Sequence, residues 1–307
     1  MVRIDHDRVT IRVPATSANL GPGFDSFGVA LDLWDEIEVH ATSDSNVKVE
    51  IEGYGAETVA RDESHLVIRA LHTALEAVGA PLTGVVLKAK NRIPHGRGLG
   101  SSAAACVAGI AAAHYLISEP ELLDGPAMLA LANEFEGHPD NAAPAIYGGS
   151  TISWMAQDLP QTAHLSLSPD LGLVTLVPAN EFPTKQARAV LPAQVPHGVA
   201  AAQAARAGLL VAALGGQTEH LLAATEDYLH QGFRGEVMPH TRDLIAKLRD
   251  AGFAAVISGA GPSVLVLVDQ AKLPDPAAAV RTAAAELAEG WEISARKTAS
   301  GVRGARR

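Results

Sequence analysis

The sequence predicts a two-domain α+β protein, and three observations carry that prediction. The chain has 307 residues, enough for about two domains at roughly 150 residues each. A strand-and-helix pattern that occupies the first half restarts beyond about residue 160. The second half then reads as a split βαβ, ferredoxin-like arrangement with inserted helices. The domains are expected to divide as residues 1–158 and 159–307. With 48% hydrophobic and 19% charged residues, the composition is that of a globular protein rather than a fibrous or disordered one.

Elements follow in order. Val9, Ile11 and Val13 alternate with Thr10 and Arg12, the period of a half-buried strand, which Pro14 is expected to stop. Residues 14–25 are too rich in turn formers to make an element, yet they hold Asn19 and Asp25 close together. Strands are expected over residues 37–40 and 47–51. Leu66, Ala70, Leu71, Leu75 and Val78 have helical spacing and end at Gly79, a glycine cap. Val85, Leu87 and Ala89 alternate with Val86, Lys88 and Lys90 as a strand leading into a glycine-rich segment, after which Ala103 begins a strong helix former. A helix with Pro126 in its first turn runs through Met128, Leu131 and Phe135 to Gly137. Past residue 160 we expect a strand over 171–177, an Ala-rich helix, a helix near 221–229 and a helix over 241–249 capped at Gly252. Strands over 253–257 and 264–268 flank the hairpin turn Ser258-Gly259-Ala260-Gly261-Pro262-Ser263. A helix over 277–287 and a closing strand over 291–295 complete the pattern, and Arg303 to Arg307 read as a frayed, solvated tail.

Charge and cysteine content exclude several functions. The balance of 24 Lys and Arg against 34 Asp and Glu, net −10, repels nucleic acid and anionic membranes, so no partner of either kind is expected. An anionic ligand therefore needs a local positive site. One cysteine, Cys106, cannot form an internal disulfide, which points to the cytoplasm. The first residues contain no apolar signal segment. The run from Ala103 to Ala113 is shorter than the ~18 to 20 residues of a membrane span.

Gly96-Arg97-Gly98-Leu99-Gly100-Ser101-Ser102 lies between an expected strand and helix, so backbone N–H groups and a helix N-terminus together form an anion site. It is neither a Walker loop, since no lysine follows Gly100, nor a dinucleotide loop, since the spacing is G-x-G-x-G. Without a lysine, a metal should neutralise a bound phosphate chain. Mg²⁺ suits that role, with Ser102 and a nearby glutamate as protein ligands. Glu134 and Glu136 lie about 200° apart on their helix, so at most one faces the site. A zinc pair of His138 and Asp140, and a nucleophilic Ser294 in an S-x-x-K pattern, have no supporting partners and are set aside.

Four blocks in this order resemble the GHMP small-molecule kinases. They are Pro14-Ala15-Thr16-Ser17-Ala18-Asn19-Leu20-Gly21-Pro22-Gly23-Phe24-Asp25, the loop 94–102, Glu136-Gly137-His138-Pro139-Asp140-Asn141, and residues 258–263. The resemblance is greatest to the members that act on the amino acid homoserine. It implies a ribosomal-protein-like N-terminal domain and a ferredoxin-like C-terminal domain with the active site between them. It implies that ATP lies on Pro94, His95, Gly96, Arg97, Gly98, Leu99, Gly100, Ser101, Ser102, Ala103 and Ala104, and that Ser102 and Glu136 hold Mg²⁺, with Glu134 as the fallback. It further implies an L-homoserine pocket of Asn19, Asp25, His138, Asn141, Thr184, Arg188 and Arg234, with Asp25, Asp140 and Asn141 nearest the chemistry. A carboxylate, an ammonium and a hydroxyl can each find a partner in that set. The sequence departs from the family at Ser64-His65-Leu66-Val67, where Asn-Leu-Val is common beside adenine. Open alternatives are a member acting on mevalonate or a sugar, and a catalytically silent binding protein on the same fold. Oligomeric state is not set by the sequence; a homodimer is admitted.

Overall fold

The computed structural model describes residues 1–307. Eleven strands form two sheets. The first contains β1 (Arg8–Ala18), β2 (Phe27–Thr42), β3 (Val47–Gly53), β4 (Gly84–Asn91), β5 (Ser150–Ala156), β6 (Leu159–Leu165) and β11 (Arg303–Arg306). Its order is β11-β1-β2-β4-β3, with β5 also on β2 and β6 on β5. The second holds β7 (Leu171–Val177), β8 (Ala254–Ile257), β9 (Val264–Asp269) and β10 (Glu292–Arg296), in the order β10-β7-β9-β8. That order, fourth-first-third-second, is the ferredoxin-like order the second half was expected to adopt.

Helices α1 (Leu66–Ala77), α2 (Ser101–Leu116), α3 (Gly125–Glu136) and α4 (Ala142–Tyr147) belong with the first sheet. With the second are α5 (Thr184–Ala189), α6 (His197–Leu214), α7 (Leu221–Ala224), α8 (Gln231–Val237), α9 (Pro239–Asp250) and α10 (Pro276–Ala284). Helix α2 is apolar all round, from Ala103 to Leu116, and fully buried along most of its length, as a helix enclosed on every side must be. Gly109 lets it meet α1, because a β-carbon there would strike the Val67 carbonyl oxygen. A single core of 54 buried residues runs from Val9, Leu71 and Ile110 into Leu173, Leu210 and Leu265 of the second half. The two halves are therefore joined by packing as well as by chain.

Three expectations are corrected. Pro14 does not end the first strand; β1 continues to Ala18, with a register shift between Pro14 and Ala15, since a bulge accommodates the missing N–H. The helix near 221–229 is only one turn, α7, after which residues 225–230 turn inward with Thr225 and His230 fully buried. Arg303 to Arg306 are not a frayed tail: β11 pairs with β1 from Val9↔Arg306 to Arg12↔Arg303, so the 291–295 strand is not the last. Residues 158 and 159 lie at the β5–β6 turn, and the first sheet takes back the chain's end. One helix, α6, is long and apolar enough by length and composition to cross a membrane. Here its Gln203 bonds Pro22 and Asp227, and its Arg206 bonds Glu226, which ties it into the fold.

Candidate active site

The expected substrate and metal residues, with Gly96, Gly98, Gly100, Ser101 and Ser102 of the loop, converge on a cleft of about 420 Å³ between the two sheets. At one wall, β1 ends in a tight loop where Asn19 and Asp25 take positive φ of 71° and 54°, a conformation Asn and Asp tolerate better than most residues. Asn19 is a fastener. Its Oδ1 accepts from the Asp25 N–H at 3.0 Å, and its Nδ2 donates to the Gly259 carbonyl at 2.8 Å, across to the β8–β9 turn.

Asp25 faces Arg188, at the last turn of α5, in a bidentate pair: Nη1 to Oδ2 at 3.0 Å and Nη2 to Oδ1 at 2.7 Å. Arg234, in α8, is only 2% exposed. Burial and the neighbouring Arg188 charge bring its pKa down to about 10, so it remains a cation at neutral pH. Both guanidiniums stand over the Phe24 ring, 5.6 and 5.4 Å from its centre. Thr184 lines the same cleft.

On the opposite wall α3 ends at Gly137 with φ 77°, and the chain turns through His138 to Asn141. Asp140 is 2% exposed; its Oδ1 meets His138 Nδ1 at 2.7 Å and accepts from Asn141 Nδ2 at 3.1 Å. The Thr16 hydroxyl donates to Asn141 Oδ1 at 2.8 Å, which fixes the amide's orientation. Burial opposes charging His138, but the bond to Asp140 and the field of Asp25 outweigh it and hold its pKa above the ordinary value.

The glycine-rich loop forms the floor. Gly96, Gly98 and Gly100 have φ of 61°, 72° and 68°, left-handed values that favour glycine. Gly100 precedes α2 without any side-chain cap, so the N–H groups of the helix's first turn are unspent. Ser102 Oγ donates to Glu136 Oε1 at 2.5 Å. Burial raises the Glu136 pKa against the lowering effect of the Ser102 bond. Glu134 is exposed on the helix's other side, as the 200° separation requires.

Not every loop residue points its side chain inward. Leu99, Ala103 and Ala104 are fully buried packing residues, and Pro94 is buried too. Arg97 is committed elsewhere: it donates to the carbonyls of Pro178, Ala179 and His95 at 3.0, 2.5 and 2.8 Å and pairs with Glu181 at 3.3 Å. It is a strut between the domains, and only its backbone is available to a phosphate.

Beyond Ser101 and Ser102 the floor opens into a second chamber of about 360 Å³, lined by Val13, Ile37, Leu66, Val67 and Ala108, with Asp35, Asn91, His65 and His95 as polar members. His65 is 7% exposed and its Nδ1 has no partner. Its pKa is lowered by burial and by the nearby His95, so it is a neutral donor or acceptor. Burial pushes Asp35 up to about 6 even though the Arg92 and Ile93 N–H groups donate to it. An apolar slot with a few hydrogen-bonding edges suits a flat heterocycle. Sequence reasoning reached His65 and His95 here but missed Asp35 and Asn91, whose only signal is strand alternation.

A phosphate cradle opening on one side to a heterocycle slot and on the other to a pocket of opposed charges defines the class: a small-molecule kinase. The GHMP kinases N terminal domain matches residues 65–149, and the GHMP kinases C terminal domain matches residues 207–290. The chain belongs to the GHMP kinase family. Within it, similar curated relatives include homoserine kinases. That of Leifsonia xyli subsp. xyli is 48% identical over 92% of this chain and 87% of its own, and that of Streptomyces coelicolor is 50% identical over 85% and 84%. The crystal structure of homoserine kinase from Cytophaga hutchinsonii superposes with a TM-score of 0.83 at 28% identity, covering 98% of both chains.

Proposed function

We infer that the protein is a homoserine kinase, transferring the γ-phosphoryl group of ATP to the side-chain hydroxyl of L-homoserine to give O-phospho-L-homoserine for threonine biosynthesis. The observation that carries this reading is the Asp25–Arg188 pair beside Arg234. A substrate bearing a carboxylate and an ammonium on one carbon can insert between the two charged groups, its carboxylate replacing Asp25 on Arg188 and its ammonium replacing Arg188 on Asp25. Mevalonate, which has no ammonium, leaves Asp25 without a counter-charge. Asn19, His138, Asn141 and Thr184 complete the pocket.

The loop N–H groups and the N-terminus of α2 receive the phosphate chain, and the chamber containing His65 receives adenine. Ser102 and Glu136 fit Mg²⁺. A hydroxyl and a carboxylate meet beside the loop, and the desolvated Glu136 carboxylate is stabilised by a cation at that point. When bound, the ion supplies the positive charge that a loop without lysine lacks. Phosphoryl transfer through a loose transition state asks chiefly for alignment. Asn141, held by Thr16, orients the homoserine hydroxyl, and with Asp25 engaged by the ammonium the carboxylate that remains to accept its proton is Asp140. His138, whose charged form the Asp140 bond favours against burial, lines the same cleft. The single buried thiol, Cys106, pushed up to about 12 by burial and by the Glu136 charge, is chemically inert, which accords with a cytoplasmic biosynthetic enzyme.

An ADP-release assay on homoserine, mevalonate and galactose tests the assignment. Homoserine should give a kcat/KM at least about a hundredfold above the others, as expected when a buried polar site loses its partners. A faster reaction with mevalonate or galactose, or ATP binding with no ADP formed from any of the three, would overturn it.

A further inference from the structure

A buried histidine, His230, lies behind the substrate pocket, out of reach of the substrate itself. His230 immediately precedes α8 and has no exposed surface. Its ring stacks on Phe24, with centres 5.1 Å apart and planes inclined by 24°. Its Nε2 lies 2.8 Å from the Gly21 carbonyl oxygen, and its Nδ1 lies 3.1 Å from Arg234 Nη1.

Those two neighbours fix the tautomer. A carbonyl oxygen only accepts, so Nε2 must carry the hydrogen; a guanidinium only donates, so Nδ1 must present a lone pair. The neutral Nε2–H imidazole alone satisfies both. An imidazolium would turn an N–H toward the Arg234 cation. The surrounding groups agree: burial and Arg234 disfavour the charged ring and prevail over Asp227 and Asp25, which favour it, so the His230 pKa is lowered. Arg188 faces the same ring system from α5, across Phe24.

Arg234 is otherwise held by carbonyls. Its Nε donates to Ala187 at 3.3 Å, and its Nη1 donates to Gly259 at 2.9 Å as well as to His230. Its Nη2 has no protein partner, and the residue lines the cleft. Asp227 holds the backbone that carries the ring, its Oδ2 accepting from the backbone N–H groups of His230 and Gln231 at 2.9 and 2.7 Å, and the same oxygen lies 3.6 Å from Nε2, the nitrogen that carries the hydrogen.

We propose that His230 is a positioning residue for the substrate carboxylate: as a neutral imidazole it holds Arg234 Nη1 so that Nη2 faces the cleft. Through Gly21 it also registers the Asp25 loop against that guanidinium. One ring thereby sets the spacing between the group that takes the carboxylate and the group that takes the ammonium. The proposal rests on the homoserine assignment above.

The test compares His230→Phe, which keeps the stacking and loses both bonds, with His230→Asn, whose Oδ1 can take the place of Nδ1 toward Arg234. In the Phe variant the KM for homoserine should rise about tenfold or more, the loss of one charge-assisted bond. The KM for ATP and kcat should stay within about threefold. The Asn variant should recover most of the homoserine KM. An unchanged homoserine KM in the folded Phe variant, or equal losses toward both substrates, would overturn the proposal. A measurement on the native protein does not depend on either variant folding or on activity: two-bond 1H–15N correlation of the His230 ring should show the neutral Nε2–H tautomer at pH 6 to 7. An imidazolium or the Nδ1–H tautomer there would also overturn it. Native enzyme that does not phosphorylate homoserine at all would instead count against the assignment, leaving the tautomer result to stand on its own.

Discussion

Gly98→Ala should lower kcat/KM about a hundredfold or more. Gly98 has φ 72°, and a β-carbon there would collide with the Ser258 carbonyl oxygen and crowd Gly261 at 2.9 Å. Neither obstacle is a flexible side chain. Both belong to the β8–β9 turn, where Ser258 Oγ donates to the Gly98 carbonyl at 2.6 Å and accepts from the Ser17 hydroxyl at 2.8 Å. The methyl group can be accommodated only by moving the phosphate loop or by prising the C-terminal turn away from it. A displacement of about 1 Å at a reacting centre can cost on the order of a hundredfold. Left-handed backbone at a residue other than glycine adds about 1 to 3 kcal/mol of strain. Steady-state kinetics with thermal unfolding checks this: the loss in kcat/KM should exceed what any loss of folded enzyme explains. Activity within threefold of the native enzyme would show that the loop is not set by this contact.

Arg188→Ala should lower kcat/KM for homoserine by about 10- to 150-fold, the equivalent of one charge-assisted hydrogen bond of ~1.5 to 3 kcal/mol. The side chain is 43% exposed, and its pair with Asp25 contributes at most about 1 kcal/mol to folding, so the variant should fold. Removing the guanidinium leaves Asp25 facing the ammonium but deprives the carboxylate of one of its two arginines. The loss should appear in homoserine KM with ATP KM unchanged. An unchanged kcat/KM would remove Arg188 from the carboxylate site and with it the charge-exchange picture of substrate entry.

Much of this was legible in the sequence because the relevant signals are local. The ferredoxin-like order followed from apolar strands separated by helical spacing and a Gly-Pro turn. The anion cradle followed from glycines between a strand and a helix, and the choice of Glu136 over Glu134 was already framed by the angle between them. What escaped was set by contacts distant in sequence. Arg303 to Arg306 look like a tail until β1 is found with a free edge beside it. Arg97 looks like a phosphate ligand until its guanidinium is seen spent on the carbonyls of Pro178 and Ala179. Residues 225–229 read as helix because their local pattern carries no trace of the contacts that bury the adjoining His230, above all that with Gly21, 209 positions away. Asp35 is likewise an ordinary strand residue until its burial against Arg92 and Ile93 is known.

The most direct test is a crystal structure of the protein with Mg²⁺, a non-hydrolysable ATP analogue and homoserine. The phosphate chain should lie against the N–H groups of residues 98–102, and the homoserine carboxylate within hydrogen-bonding distance of Arg188 and Arg234. The ammonium should lie on Asp25, with the Asp25–Arg188 pair opened to admit it. An intact Asp25–Arg188 pair with homoserine bound elsewhere, or a phosphate chain that makes no contact with the loop, would contradict this arrangement.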